Sequence, residues 1–200
     1  MMADGPLFRN KSIAVFCGSA SGKHYDYQSD AFDTGHALAS AGHRIVYGGG
    51  HVGLMGALAD GCIDAGGHIT GVMPRALVDR EIAHNGLSDL RIVADMHERK
   101  AEMADRADAF IVLPGGSGTF EEFFEQWTWG QIGYHEKPIG LLNLNGYFDP
   151  LLGMLDQMVH SGFLSEPHRE MLFDGSDISA LLEDFACYNH PPVKGYQSNR

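Results

Sequence analysis

Basic residues are scarce in this chain. Lys and Arg together number 14 against 26 Asp and Glu, a formal net charge of −12 over 200 residues. That imbalance excludes a general nucleic-acid binder, whose footprint is a basic face. It does not exclude a small anionic ligand, because one pocket can be locally positive. Cysteine is also sparse: Cys17, Cys62 and Cys187 are an odd number with no CxxC spacing. This excludes a disulfide framework and a cysteine-rich zinc site, and it fits a reduced, cytoplasmic chain. No apolar run approaches membrane-spanning length, and the first residues lack the apolar core of a signal peptide. The eleven histidines include no HExxH, and His97-Glu98 has no partner histidine at metal spacing, so no metal is expected. There is no G-x-S-x-G, and Ser117 has no obvious base nearby in sequence. Cys17, at a strand end, reads as a small core residue and not as a nucleophile.

What remains is ordinary globular composition, 44% hydrophobic and 20% charged, enough for one full core. Residues 1–11 carry no pattern and are expected to be a loose arm. A single domain is expected over 12–187, and the polar, proline-containing residues 188–200 read as a tail. Within the domain, short apolar runs alternate with helical stretches. Strands are expected at 12–17, 44–47, 68–72, 90–94, 109–113, 138–142 and 171–173. Helices are expected at 25–41, 54–65, 95–107, 119–132, 148–161 and 178–185. The pattern lapses between 73 and 90, a loop long enough to suggest function. Alternation of this kind predicts an α/β fold, a Rossmann-like doubly wound parallel sheet covered on both faces. No repeat, low-complexity segment or second domain interrupts it. Ligands in such sheets bind outside the carboxyl ends of the strands.

Three glycine-bearing turns fall at carboxyl ends: Gly18-Ser19, Gly48-Gly49-Gly50-His51-Val52-Gly53, and Pro114-Gly115-Gly116-Ser117-Gly118-Thr119. The second satisfies G-x-G-x-x-G through Gly48, Gly50 and Gly53. However, no acid ends the following strand, so it is a close-approach loop and weak evidence for a dinucleotide. The third leads into a helix, and a glycine-rich loop before a helix N-terminus is an anion site. Glu121 and Glu122 follow at once, which suggests chemistry on a phosphorylated substrate. Thr119 and Glu122 have capping-box spacing, so Glu122 reads equally as cap or catalyst, and the roles can coexist. The macrodipole would favour its anion. Phe120, Phe123, Phe124 and Trp127 have core spacing, leaving Glu122 beside that stripe. Asp95 is placed to cap the helix that carries Arg99 and Lys100, with Glu98 completing a box-like pair. Cations in a first turn oppose the dipole by a few tenths of a kcal/mol. Either their stems pack and their heads reach solvent, or an anion at the rim offsets the placement. The second is preferred.

Pro114-Gly115-Gly116-Ser117-Gly118-Thr119-Phe120-Glu121-Glu122 has the form PGGxGTxxE, and the chain resembles the Lonely Guy family of cytokinin riboside 5′-monophosphate phosphoribohydrolases, often mislabelled lysine decarboxylases. The likeness extends through Cys17-Gly18-Ser19, Tyr47-Gly48-Gly49-Gly50, Gly53-Leu54-Met55-Gly56 and Asp95-Met96-His97-Glu98-Arg99-Lys100-Ala101. It continues in Trp127-Thr128-Trp129 and Lys137-Pro138-Ile139-Gly140-Leu141-Leu142-Asn143. The resemblance implies a homodimer with its site at or near the subunit interface. It implies hydrolysis of N6-substituted adenosine 5′-monophosphates to the free base and ribose 5-phosphate, with no cofactor. It puts the catalytic pair on Arg99 and Glu122. Substrate contacts fall on Glu81, Arg99, Lys100, Gly115, Gly116, Ser117, Gly118, Thr119, Phe120, Glu121, Glu122 and Thr128. Ser117 stands where an aromatic is common and His51 where asparagine is common, which bears on base preference. Three alternatives remain open: an AMP nucleosidase of broader base preference, a non-catalytic nucleotide carrier, and a pyridoxal-dependent decarboxylase. The last would need a Schiff-base lysine, and only Lys100 lies near the presumed site.

Overall fold

The computed structural model describes residues 8–80 and 82–193. Its strands are β1 (Ser12–Phe16), β2 (Arg44–Tyr47), β3 (His68–Pro74), β4 (Asp89–Val93), β5 (Ala109–Val112), β6 (Ile139–Leu142) and β7 (Leu172–Gly175). The helices are α1 (Tyr27–Ser40), α2 (Gly53–Asp64), α3 (Arg75–Val78), α4 (Met96–Arg106), α5 (Ser117–Gln131), α6 (Asp149–His160), α7 (Glu166–Arg169) and α8 (Ile178–Ala186). The strands form one sheet in the order β4-β3-β2-β1-β5-β6-β7, and each pairing is parallel. Central strands are apolar without alternation because helices cover both faces. Ile13, Val15, Ile45, Tyr47 and Ile111 meet Leu38 of α1, Leu58 of α2 and Leu181 of α8. Ala14, Phe16, Val46, Phe110 and Val112 meet Met103 of α4, Phe123 and Trp127 of α5, and Leu155 of α6. Edge strand β4 departs from this, with Arg91 and Ile92 exposed.

The expected α/β architecture is present, and two regions differ from expectation. The stretch 73–90 is not one loop: β3 runs on to Pro74, and the four-residue α3 follows. Such a short helix carries too few residues for a periodic signal. For the same reason α7 and a 3-10 turn at Leu144–Gly146 had no signature. At the ends, Phe8 stacks on His43 and meets Phe185 edge-on. Tyr188 packs edge-on against Phe173. The remainder of the expected arm (1–7) and tail (194–200) lies outside the described residues.

The order of chain crossings fixes where a ligand fits. From β1 the chain winds outward through β2, β3 and β4, then α4 carries it back across to β5 beside β1. The loops leaving β1 and β5 therefore diverge to opposite faces. A crevice opens between them at the topological switch point.

Candidate active site

The crevice is bounded by loops that hydrogen-bond to one another. The Gly18 amide donates to the Pro114 carbonyl at 3.0 Å, and the Leu54 amide at the start of α2 donates to the Gly18 carbonyl at 3.0 Å. The Tyr147 hydroxyl donates to the Gly115 carbonyl at 2.5 Å from across the β6–α6 connection. A cavity of about 260 Å³ results. Cys17 and Ser19 of the first loop, Met55 of α2, and Met96 and Arg99 of α4 line it, with Gly116 to Thr119, Glu121 and Glu122 of α5.

Helix α5 begins two residues earlier than its sequence suggests. Gly116 is the cap residue, and its carbonyl accepts the Phe120 amide at 3.2 Å. No side chain caps this end. The expected Thr119–Glu122 capping box is therefore not formed. Thr119 is instead buried in the first turn, with its hydroxyl close under Gly115. This frees the amides of the first turn, which border the cavity, and frees Glu122 to point elsewhere.

Glu122 points at α4. Asp95 caps that helix by accepting the His97 and Glu98 amides, each at 2.9 Å, while Glu98 accepts the Ala94 amide at 2.6 Å. The first turn so fixed directs both cations inward, and both side chains are largely buried. The Arg99 Nε donates to the Val72 carbonyl at 3.1 Å, and its Nη1 lies 3.5 Å from Glu122 Oε1. The two side chains are only 12% and 9% exposed. The Lys100 Nζ, on a side chain 6% exposed, bonds Glu121 at 2.5 Å and Glu125 at 3.0 Å. The counter-charges that offset the dipole are thus carboxylates of α5.

The Glu122 carboxyl is pushed above its ordinary range by burial, against which Arg99 pulls it down. This reverses the expectation that the macrodipole would favour the anion, since desolvation outweighs it. The result is a carboxylate of raised basicity, held beside a fixed cation. The neighbouring Cys17 thiol is pushed up by burial and then by Glu122, which keeps it protonated and unsuited to attack.

The cavity thus brings together Arg99, Gly116, Ser117, Gly118, Thr119, Glu121 and Glu122. Gly115 sits behind it, and Phe120 turns away to stack on Tyr147 and meet Phe148 edge-on. Lys100 is buried behind the carboxylates. Thr128 is exposed further along α5, and Glu81 lies outside the described residues. Ile82 and His84 nevertheless clamp the second glycine loop. The His51 amide donates to the Ile82 carbonyl at 3.0 Å and the His84 amide to the Gly49 carbonyl at 2.9 Å. Sequence reasoning missed Met55, Met96 and Tyr147. The methionines sit in recognisable stretches but carry no motif chemistry, and Tyr147 reaches Gly115 across 32 positions, beyond any local pattern. Among the described residues no cluster of three or more His, Cys, Asp or Glu is placed to hold a metal. None of the described helices is long and apolar enough to cross a membrane.

Residues 55–185 match the family described as "Possible lysine decarboxylase". Over 188 residues the chain is 45% identical to a cytokinin riboside 5′-monophosphate phosphoribohydrolase of Arabidopsis thaliana, covering 92% of this chain and 87% of the relative. This chain belongs to the Lonely Guy family. A second member, the cytokinin riboside 5′-monophosphate phosphoribohydrolase of Oryza sativa subsp. japonica, is 48% identical over 174 residues, which cover 87% of this chain and 72% of the relative. The fold also matches the molybdenum cofactor carrier protein of Chlamydomonas reinhardtii, with TM-score 0.66 at 18% identity, covering 88% of this chain and 96% of that one. At that identity only the fold is shared. The decarboxylase description fits the site poorly. Burial alone would lower the Lys100 pKa, but its two carboxylate partners raise it, so the amine is held as ammonium and not as the free base a Schiff base needs.

Proposed function

We propose that this Lonely Guy protein hydrolyses the N-glycosidic bond of N6-substituted adenosine 5′-monophosphates, with Glu122 and Arg99 as the catalytic pair. The observation that carries the site assignment is the buried Arg99–Glu122 pair at 3.5 Å, facing the uncapped start of α5 across one cavity. The 5′-phosphate is held by the first-turn amides of α5 and the helix dipole. That anchor places the ribose C1′ beside Glu122. As the C1′–N9 bond lengthens, positive charge builds on the ribose. The Glu122 carboxylate stabilises this charge and orients a water toward C1′. Water supplies the new C1′–OH bond, and its proton balances the departing purine, giving N6-modified adenine and ribose 5-phosphate. Arg99 opposes the upward pull of burial on Glu122 and fixes its direction.

A homodimer with the site at the subunit boundary is part of this reading. It is supported by Met96, an exposed apolar side chain among those that line the cavity. A product assay tests the function: incubate the protein with AMP, isopentenyl-AMP and the matching riboside, and measure released base. Release from the monophosphates and not from the riboside is expected. Glu122→Ala is expected to lower the rate by about 10²–10⁴-fold. Binding without release, or a Glu122→Ala protein as active as the parent, contradicts the reading.

A further inference from the structure

Two adjacent cations on α4 face three carboxylates on α5, and only one pair has a role so far. Arg99 addresses Glu122, while Lys100 addresses Glu121 at 2.5 Å and Glu125 at 3.0 Å. Glu121 is one residue before Glu122 and Glu125 is one turn after it, so the two flank it on the same helix. The Lys100 side chain is 6% exposed, and its ammonium is not among the groups that border the cavity. Glu125 is 23% exposed, and its second carboxylate oxygen is buried without a hydrogen-bond partner among the described residues. Its charge is therefore answered by Lys100.

We propose that Lys100 is a positioning residue, its buried ammonium clamping Glu121 and Glu125 to α4 so that Glu122 faces Arg99 with its neighbours' negative charge cancelled. The charged and titratable groups around Glu122 are Arg99 and Lys100 from α4, Glu121 and Glu125 from α5, and Cys17 from the end of β1. Arg99 and Lys100 favour the Glu122 anion, while Glu121 and Glu125 oppose it. With Lys100 in place, two cations face three carboxylates. Without it, one cation faces three, and a buried carboxyl among uncompensated like charges takes up a proton more readily. Lys100 so acts on the reaction through Glu122, without touching the nucleotide.

The inference rests on Glu122 being the working carboxylate, and the pH dependence of kcat/KM separates the two ideas. In Lys100→Met the acidic limb of the profile is expected to move up by roughly one unit, so that the rate falls about tenfold at pH values below the limb and recovers at higher pH. Lys100→Arg, which keeps the cation, is expected to restore the parent limb. Lys100→Met/Glu125→Gln is expected to bring the limb part of the way back. Should Lys100→Met fail to fold, Glu125→Gln alone is expected to shift the limb downward with KM unchanged. A limb that stays in place in Lys100→Met while KM rises at every pH would mean a direct nucleotide contact and overturns the proposal. An active Glu122→Gln enzyme would instead overturn the reading on which it rests, whatever the limb does.

Discussion

The molecule has two glycine-rich segments at the carboxyl rim of its sheet, after β2 and after β5, and they use glycine differently. In the loop after β2 the missing side chains make room for the protein itself. A Cβ on Gly48 would stand 1.9 Å from Arg99 Nη2, and one on Gly53 would stand 2.4 Å from the Ser19 backbone, where φ is also +58°. After β5, Gly115 is packed in the same way, a Cβ there standing 2.1 Å from Thr119 Oγ1, but one on Gly116, the cap of α5, or on Gly118, in its first turn, would meet nothing within 4 Å, and neither of these two has a positive φ. Those two glycines leave open space beside free helix amides. The loop after β2 is therefore packed around the Arg99 side chain. The segment after β5 leaves the open space that the proposed phosphate site needs, since close approach to a phosphate favours glycine.

Substitutions at matched positions break or sharpen this contrast. The largest effect is expected from Gly48→Ala. Its methyl group displaces the tip of the Arg99 side chain, which costs the fold little but moves the guanidinium off Glu122, lowering kcat/KM by about 10²-fold with little change in Tm. Gly53→Ala is expected to do the reverse. Its strained φ and backbone collision cost roughly 1–3 kcal/mol, visible as a lower Tm, while activity per folded molecule changes less than in Gly48→Ala. Gly118→Ala is expected to stabilise the protein by about 0.5–1 kcal/mol, as alanine does within a helix, yet to weaken nucleotide binding by roughly tenfold. A Gly118→Ala protein that gained stability with unchanged affinity would show that the bare loop is not the phosphate site.

The smallest effect lies away from both loops. Burial and then nearby Lys137 push His135 down to about 4, and it is held between the Gln126 carbonyl and the Lys137 amide. A histidine that stays neutral in the native state binds fewer protons there than in the unfolded chain. Its contribution to stability is complete above about pH 6.5 and is lost as the pH falls toward 4. Thermal melts across that window are expected to show a declining Tm, and His135→Asn is expected to flatten part of the decline.

The fold was readable in the sequence because the signals were long or chemically distinctive. The unbroken apolar runs of β1, β5 and β6 could only be doubly covered strands, and the Asp95 cap placed α4 to within a residue. The stretch from Pro114 to Glu122 pointed to the site through the glycines that space it. Illegible were features set by tertiary contact. Thr119 and Glu122 have ideal box spacing, yet Gly116 starts the helix earlier, and Glu122 finds Arg99 in place of a backbone amide. Arg99 and Lys100 looked like cations awaiting an outside anion, because their carboxylate partners lie over twenty residues away on α5. Tyr147 bracing Gly115 is likewise a contact between distant loops.

The most direct measurement is a crystal structure of the Glu122→Gln protein with adenosine 5′-monophosphate bound. The account predicts the phosphate within hydrogen-bond reach of the first-turn amides at Gly116 to Thr119, with C1′ beside residue 122 and Arg99. A phosphate seated instead on the loop from Gly48 to Gly53, with the ribose turned away from residue 122, would contradict it.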